Sequence, residues 1–415
     1  MQHGKENSIS FNNWYRIGLF NLLLVSSVGL LLRFKMAASL PWVNHKYFLH
    51  GHSHFAFSGW VSLVLMTAII QQIYQHNTDK PTSIFRGLLW LQLITAYGML
   101  ISFPFQGYGV VSITFSTLSI LVSYVFVWTV WKKCTAITWG SNTAALSIRA
   151  SLVFLVISSL GTFWLAFLMV TQAGTQSFFF SALYFYLHFQ YNGWFFFAIV
   201  GLWLTMLPPG VFSSSNGLHK GIGWFIAACV PAVALSALWM KVPLGVYAIS
   251  IVAVFMQFGS VFQVWKTIRE YIPKFSLLLS GTQKVLLSIS AFAFLFRISL
   301  QGLSTIPALS KFGFAYRPVV IAYLHLILLG TVTLFLFAWF IYKSVWAIRQ
   351  KTAHIAILIF IVGFLFTEGM LLAQGLGYIG WTSIPYTNQT LLAAALLMFS
   401  GLLMLNISAR TRDKK

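Results

Sequence analysis

Negative charge is what this chain has least of: 415 residues hold five Asp and Glu against 26 Lys and Arg, and charged residues of either sign make up only 7%. Four of the five, Glu6, Asp79, Glu270 and Asp413, fall in termini or connections, leaving Glu368 alone inside an apolar run. A proton pump needs a relay of titratable groups through the membrane, and none is present. Glu368, followed by Gln374, reads either as a gate for protons or cations or as a group kept neutral or paired in the bundle, with Lys284 or Arg297 as partner. Cysteine is as scarce. Cys134 and Cys229, one in a connection and one in a span, exclude a disulfide framework and a CxxC metal site. Residues 1–13 are polar and the first apolar run has no small-residue cleavage site, so a signal peptide is not expected. Low-complexity tracts and a separate soluble domain are also missing.

What fills the chain is apolar: 59% hydrophobic residues, with 40 Phe and 16 Trp, arranged in repeated stretches of about 20 residues. The expected fold is an all-α polytopic membrane protein, a single transmembrane domain over 1–415 whose partner is the lipid bilayer. Twelve transmembrane helices are expected at 14–34, 48–74, 84–104, 108–131, 148–172, 178–206, 221–240, 243–266, 277–299, 318–343, 354–377 and 387–408. The net charge of +21 does not mark a nucleic-acid binder, because the basic residues alternate with the spans instead of forming one patch. Lys80, Arg86, Lys132, Lys133, Arg149, Lys220, Lys266, Arg269, Lys274, Lys343, Arg349 and Lys351 all fall on one side. The other side holds fewer, among them Arg33, Lys35, Lys46, Lys241, Lys311 and Arg317. The positive-inside rule then places both tails, 1–13 and 409–415, in the cytoplasm.

Residues 49–60 read LHGHSHFAFSGW, three histidines at alternate positions on the threshold of the second span. His54 is followed five residues later by Gly59. The same spacing recurs in His188 with Gly193 on the sixth span and in His325 with Gly330 on the tenth. The intervals from His54 to His188 and from His188 to His325 differ by only three residues, each about four spans long. At ~1.5 Å per residue the three imidazoles lie roughly 9, 16 and 11 Å beyond the helix starts, in one outer half-layer. This is a threefold repeat of four-helix arcs. Glycine at the fifth position lets something flat, or a neighbouring helix, approach the backbone. One such histidine reads equally well as a hydrogen-bonding residue between helices; three in register point to function. Neutral imidazole suits iron, copper and zinc. A tetrapyrrole held between imidazoles of separate helices is the economical assignment where carboxylates are so few.

Twelve spans, that repeat, and histidines on the second, sixth and tenth spans resemble the catalytic subunit I of the heme-copper oxidases, including the nitric oxide reductases and the C-family oxidases. The resemblance covers the whole chain as architecture. It implies a low-spin heme between His54 and His325, a non-heme copper or iron at His188, and a bacterial-type inner membrane. It also implies an electron donor or companion oxidase subunits as partners in a respiratory chain. The departures are specific. The seventh span, 221–240, lacks the family's histidine pair, Tyr323 stands where the high-spin heme ligand is expected, and Asn192 replaces the redox tyrosine or glutamate of the sixth span. The resemblance therefore implies a degenerate binuclear centre, with electron transfer or diatomic-gas binding as the remaining function.

The HSHFAFSGWV wording resembles the family's tenth-span His-x-His pattern moved to the second span. Residues two apart on a helix point about 200° apart, so His54 can face one cofactor while His52 faces another. His50 and His52 otherwise read as interfacial hydrogen-bonding residues. Heme propionates call for cations on the outer side, and Arg297 and Arg317 are the candidates, beside Lys46 and Lys311; the alternative is interfacial snorkelling. Trp42, Trp60, Trp194 and Trp381 read as belt or packing residues. Two other functions stay open: a non-redox carrier of a metal ion or solute along the histidines, and an active reductase with Tyr323, His50, His52 and His188 as unconventional ligands.

Overall fold

A computed structural model describes residues 9–76, 82–207, 216–345 and 351–410, and every element among them is helical. Glu6, Asp79 and Asp413 lie outside the described residues. Ten helices are long and apolar enough to cross a membrane: Phe11–Ala37, His45–His76, Ser83–Gln106, Val110–Trp131, Asn142–Thr171, Leu244–Ile268, Gly281–Leu303, Arg317–Tyr342, Lys351–Ile379 and Thr387–Ser408. An eleventh is added if Asn216–Cys229 and Pro231–Ala237, bent by 43° at their junction, form one span. The expected sixth span is also helical, over 176–205, but His188, Gln190 and Asn192 dilute its apolar run. The chain is a multi-pass membrane protein.

Local chemistry sets the helix ends. Asn44 Oδ1 accepts the Tyr47 amide and Ser141 Oγ accepts the Ala144 amide, each satisfying a donor that a helix start leaves open. Ser280 and Gln283 form a reciprocal capping box at the start of Gly281–Leu303. Helices such as Val110–Trp131 expose Val110, Leu121, Val125 and Trp128, as expected where lipid replaces water.

The chain divides into two compact units, Met1–Phe126 with Leu336–Lys415, and Val127–Phe335. In the first, the inner half of His45–His76 is buried on every side from Leu63 to Ile70. A buried hydrogen-bond chain runs beside it. Trp339 Nε1 donates to Tyr15 Oη at 3.1 Å, and Tyr15 donates to Gln71 Oε1 at 2.6 Å. Lys351–Ile379 and Thr387–Arg410 pack almost backbone to backbone: a Cβ on Gly401 would lie 2.7 Å from Ala356 O, and one on Gly363 2.8 Å from Met398 N.

In the second unit, Asn142–Thr171 lies along 176–205. Phe154 stacks on Phe189 and Phe197 at 5.7 and 5.5 Å, inside a core shared with Phe225, Cys229 and Ile298. Of the four tryptophans singled out from the sequence, Trp60 and Trp194 are buried packing residues, whereas Trp42 and Trp381 are exposed.

Candidate functional site

The three histidine helices share a feature that composition does not reveal. Each widens into a π-helical turn at its histidine: Ala56–Ser62 two residues after His54, His188–Phe195 beginning at His188, and Leu326–Thr333 one residue after His325. Such turns are rare, insert a residue into the helix, and concentrate at functional places. They also leave carbonyls that must find partners where water is absent. Neighbouring helices supply them. Asn21 Nδ2 donates to Gly59 O at 2.7 Å and Gln92 Nε2 to Ser58 O at 3.0 Å. Ser290 Oγ donates to Thr331 O at 2.7 Å, and the Cys229 thiol approaches Asn192 O at 3.8 Å.

In the first unit the opening histidines divide between two faces. Gly51 lets the helix close onto Pro104, where a Cβ would lie 3.2 Å from its Cδ. That contact sets His54 flat against Phe103, ring centroids 4.5 Å apart. Gly107, at φ 59°, turns the chain in the left-handed region open to glycine and brings Tyr108 back over the pair. Tyr108 Oη lies 3.3 Å from His54 Nε2, and His50 meets the Tyr108 ring edge-on at 4.7 Å. Burial raises the Tyr108 phenol above its usual range, so it stays protonated and can donate to His54. His50 Nε2 is buried with no hydrogen-bond partner. His52 points the other way, its Nδ1 donating to Val25 O at 3.0 Å against Gly29. The 200° divergence expected of alternate positions is therefore present, with His52 directed at the first helix.

In the second unit the structure gathers His188, Tyr191, Asn192, Cys229, Arg297, Gln301 and Tyr323. Pro231 begins this arrangement. It cannot continue the α-helical ladder, and the chain tightens so that the Val233 amide bonds to Val230 O at 3.3 Å. Cys229 O is thereby released, and His188 Nε2 donates to it at 2.8 Å. A carbonyl only accepts, so the proton is on Nε2 and Nδ1 is left to accept from Asn192 Nδ2 at 3.1 Å. Both ring nitrogens of His188 are thus engaged by the protein. Among the described residues no group of three or more His, Cys, Asp or Glu gathers as metal ligands do.

Arg297 is 2% exposed, with its guanidinium 5.4 and 5.1 Å from the Phe196 and Phe294 ring centroids. Tyr323, Tyr191 and Cys229 act on it electrostatically, and it acts in turn on His188. Tyr191 and Tyr323 meet edge to face at 6.3 Å. Arg317, the other cation singled out for propionates, is exposed at the start of its helix, as are Lys46 and Lys311. His325 is half-buried on the turn that carries Tyr323, and Glu368 is half-buried in the first unit.

Two glycines take the second of the roles open to them. At Gly193 the Phe154 side chain fills the space, its Cβ 2.4 Å from where a glycine Cβ would be. At Gly59 the ring of Phe55 from the same helix occupies it. These positions admit protein, not a flat guest. Sequence reasoning missed Tyr108, Gln301 and the Cys229 carbonyl; the available signal for the last was Pro231 two residues on. The chain matches no protein-family model and no curated protein.

Proposed function

We propose that the chain is a heme-binding membrane protein, a divergent relative of heme-copper oxidase subunit I, with twelve crossings in three four-helix arcs. It resides in a bacterial-type inner membrane with both termini in the cytoplasm. His54 and His325 are the axial ligands, and the function is electron transfer or diatomic-gas binding beside a true terminal oxidase. The observation that carries this reading is the recurrence of histidine, widened turn and glycine at one regular interval in three helices. A structural histidine between helices needs neither the interval nor the turn.

The donors fit a low-spin heme better than a second metal. The neighbour of His54 Nε2 is a single hydroxyl at 3.3 Å, a replaceable contact. His188, by contrast, would have to surrender a 2.8 Å bond to Cys229 O to offer Nε2, or its bond from Asn192 to offer Nδ1. That supports a degenerate binuclear centre. When bound, a heme supplies a one-electron iron couple between two imidazoles. His54 and His325 would hold it, Tyr108 would give up its contact, and Arg317 is available on the exposed side for propionate.

The test is colour. Purified protein should show a Soret band, a bis-histidine signature in the reduced-minus-oxidised spectrum, and loss of both in His54→Ala and His325→Ala. A pyridine hemochrome assay should find one heme per chain. A colourless, folded protein would remove the reading and favour a carrier.

A further inference from the structure

We infer that Arg297 is the receptor for a singly charged carboxylate, one with an apolar body and a hydroxyl beside the carboxylate. The inference stands on the second unit alone and holds with or without iron.

The guanidinium stays charged at any working pH. Removing it from water is costly unless an anion and hydrogen bonds replace the hydration. The chain does not supply that anion. Within Val127–Phe335 the sequence has one carboxylate side chain, Glu270. It is exposed, in the turn that precedes Gly281–Leu303, whereas Arg297 lies roughly 24 Å along that helix at ~1.5 Å per residue. The groups that act on Arg297 are two phenols and a thiol. Its Nε is buried with no hydrogen-bond partner among the described residues. Phe196 and Phe294 contribute cation–π contacts, which moderate the burial of a charge but do not neutralise it.

The second observation comes from one turn further along the same face. Gln301, four residues on and itself buried, sits beside the Tyr323 hydroxyl, and its Oε1 has no hydrogen-bond partner. A donor without an acceptor and an acceptor without a donor thus stand side by side on one helix. A carboxylate answers the first, by the paired geometry that suits guanidinium. A neighbouring hydroxyl answers the second. One guanidinium balances one negative charge, which favours a monocarboxylate over a phosphate dianion. The walls of Phe196, Phe294, Tyr191 and Tyr323 suit an apolar body.

The probe is mandelate, with phenylacetate, which lacks only the hydroxyl, as its control. Full-length protein in detergent, free of carboxylate buffers, is titrated at constant ionic strength while its melting temperature is followed. Binding is measured in parallel by equilibrium dialysis with labelled mandelate. Mandelate should stabilise saturably and phenylacetate should bind several-fold more weakly. Arg297→Gln should abolish both effects, Arg317→Gln should leave them unchanged, and Gln301→Leu should make the two probes equal. Removal of a buried charge can itself change stability, so the quantity compared is the ligand-induced shift and the dialysis constant. Arg297→Lys, which keeps the charge and loses the fork, should retain weak binding even if the glutamine variant does not fold. Absence of saturable binding, or equal binding by wild type and Arg297→Gln, overturns the inference; equal binding of the two probes by wild type overturns its hydroxyl part. The same titration on heme-free and heme-loaded protein separates the sources. Mandelate bound only by the heme-free form identifies a propionate as the resident carboxylate, and binding to both forms identifies a free solute. Loss of the Soret band in the histidine variants is a separate readout, so either proposal can fail alone.

Discussion

His188 has one tautomer because its two partners allow no other: a carbonyl fixes the proton on Nε2, and an amide donor takes up the lone pair on Nδ1. Its replacement by alanine strands two buried groups, each costing about 1–3 kcal/mol. The unfolding midpoint of His188→Ala in detergent should fall accordingly, and a variant as stable as wild type would show that water takes the vacated places. Cys134 makes a second residue-scale case. It reads from sequence as an ordinary loop residue, yet it is buried, with its thiol 3.5 Å from Val130 O. Burial pushes the thiol up to about 12 from 9.0, with Arg149 pulling the other way. A thiol harder to ionise when folded contributes stability that is intact below pH 9 and is lost as pH rises toward 12. Iodoacetamide at pH 8 should therefore leave Cys134 unmodified in the folded protein and alkylate it after denaturation, as mass spectrometry would record. Cys134→Ala should flatten the alkaline limb of the stability profile.

At the scale of elements, each widened turn depends on a polar side chain from the helix beside it. Asn21→Ala removes the donor to Gly59 O and also the acceptor of Tyr97 Oη, which lies 2.9 Å from Asn21 Oδ1. It should cost more than Ser290→Ala, which frees only Thr331 O. Ser299→Ala, at a hydroxyl bonded to its own helix on the exposed side, should cost little. Equal midpoints for all three would mean that the carbonyls need no partner. Pro231→Ala should restore the α-helical ladder, return the Val233 amide to Cys229 O, and shift the imidazole resonances of His188 in an NMR spectrum. The sequence made the helices legible because long apolar runs leave the backbone no other way to satisfy itself in lipid. It made the histidine register legible because spacing survives without coordinates. The widened turns were not legible, since a π turn has no residue preference strong enough to see. Nor was the joining of His188 to Cys229, because the bond runs to a main-chain atom whose release depends on a proline two residues away. Arg297 was singled out for a propionate on its side of the membrane alone. Its burial and its lack of a counter-charge belong to packing, which no spacing reveals.

For the whole molecule the strongest legible quantity is the sidedness of charge. Alkaline phosphatase fused within 172–175, 238–243 or 380–386 should be active outside the cell, and fusions within 132–135 or 269–280 should be inactive. A C-terminal green fluorescent protein should fluoresce. Phosphatase activity at 132–135 would reverse the topology and with it the outer placement of the histidine layer. The division into two units ending near Phe126 and Phe335 had no sequence signal. It falls inside helices, Val110–Trp131 and Arg317–Tyr342, where composition does not change.

An inserted residue in a helix also changes its phase. A helical wheel drawn straight through His54, His188 or His325 assigns every position beyond the π turn to a face about 100° away from the one it occupies. Comparison of this chain with any relative by plain helical periodicity would therefore agree on one half of each of these helices and disagree on the other. Deletion of a single residue between His54 and Ser62 would swing the remainder of the most enclosed helix, Trp60 and the Leu63–Ile70 stretch included, onto neighbours shaped for a different side of it.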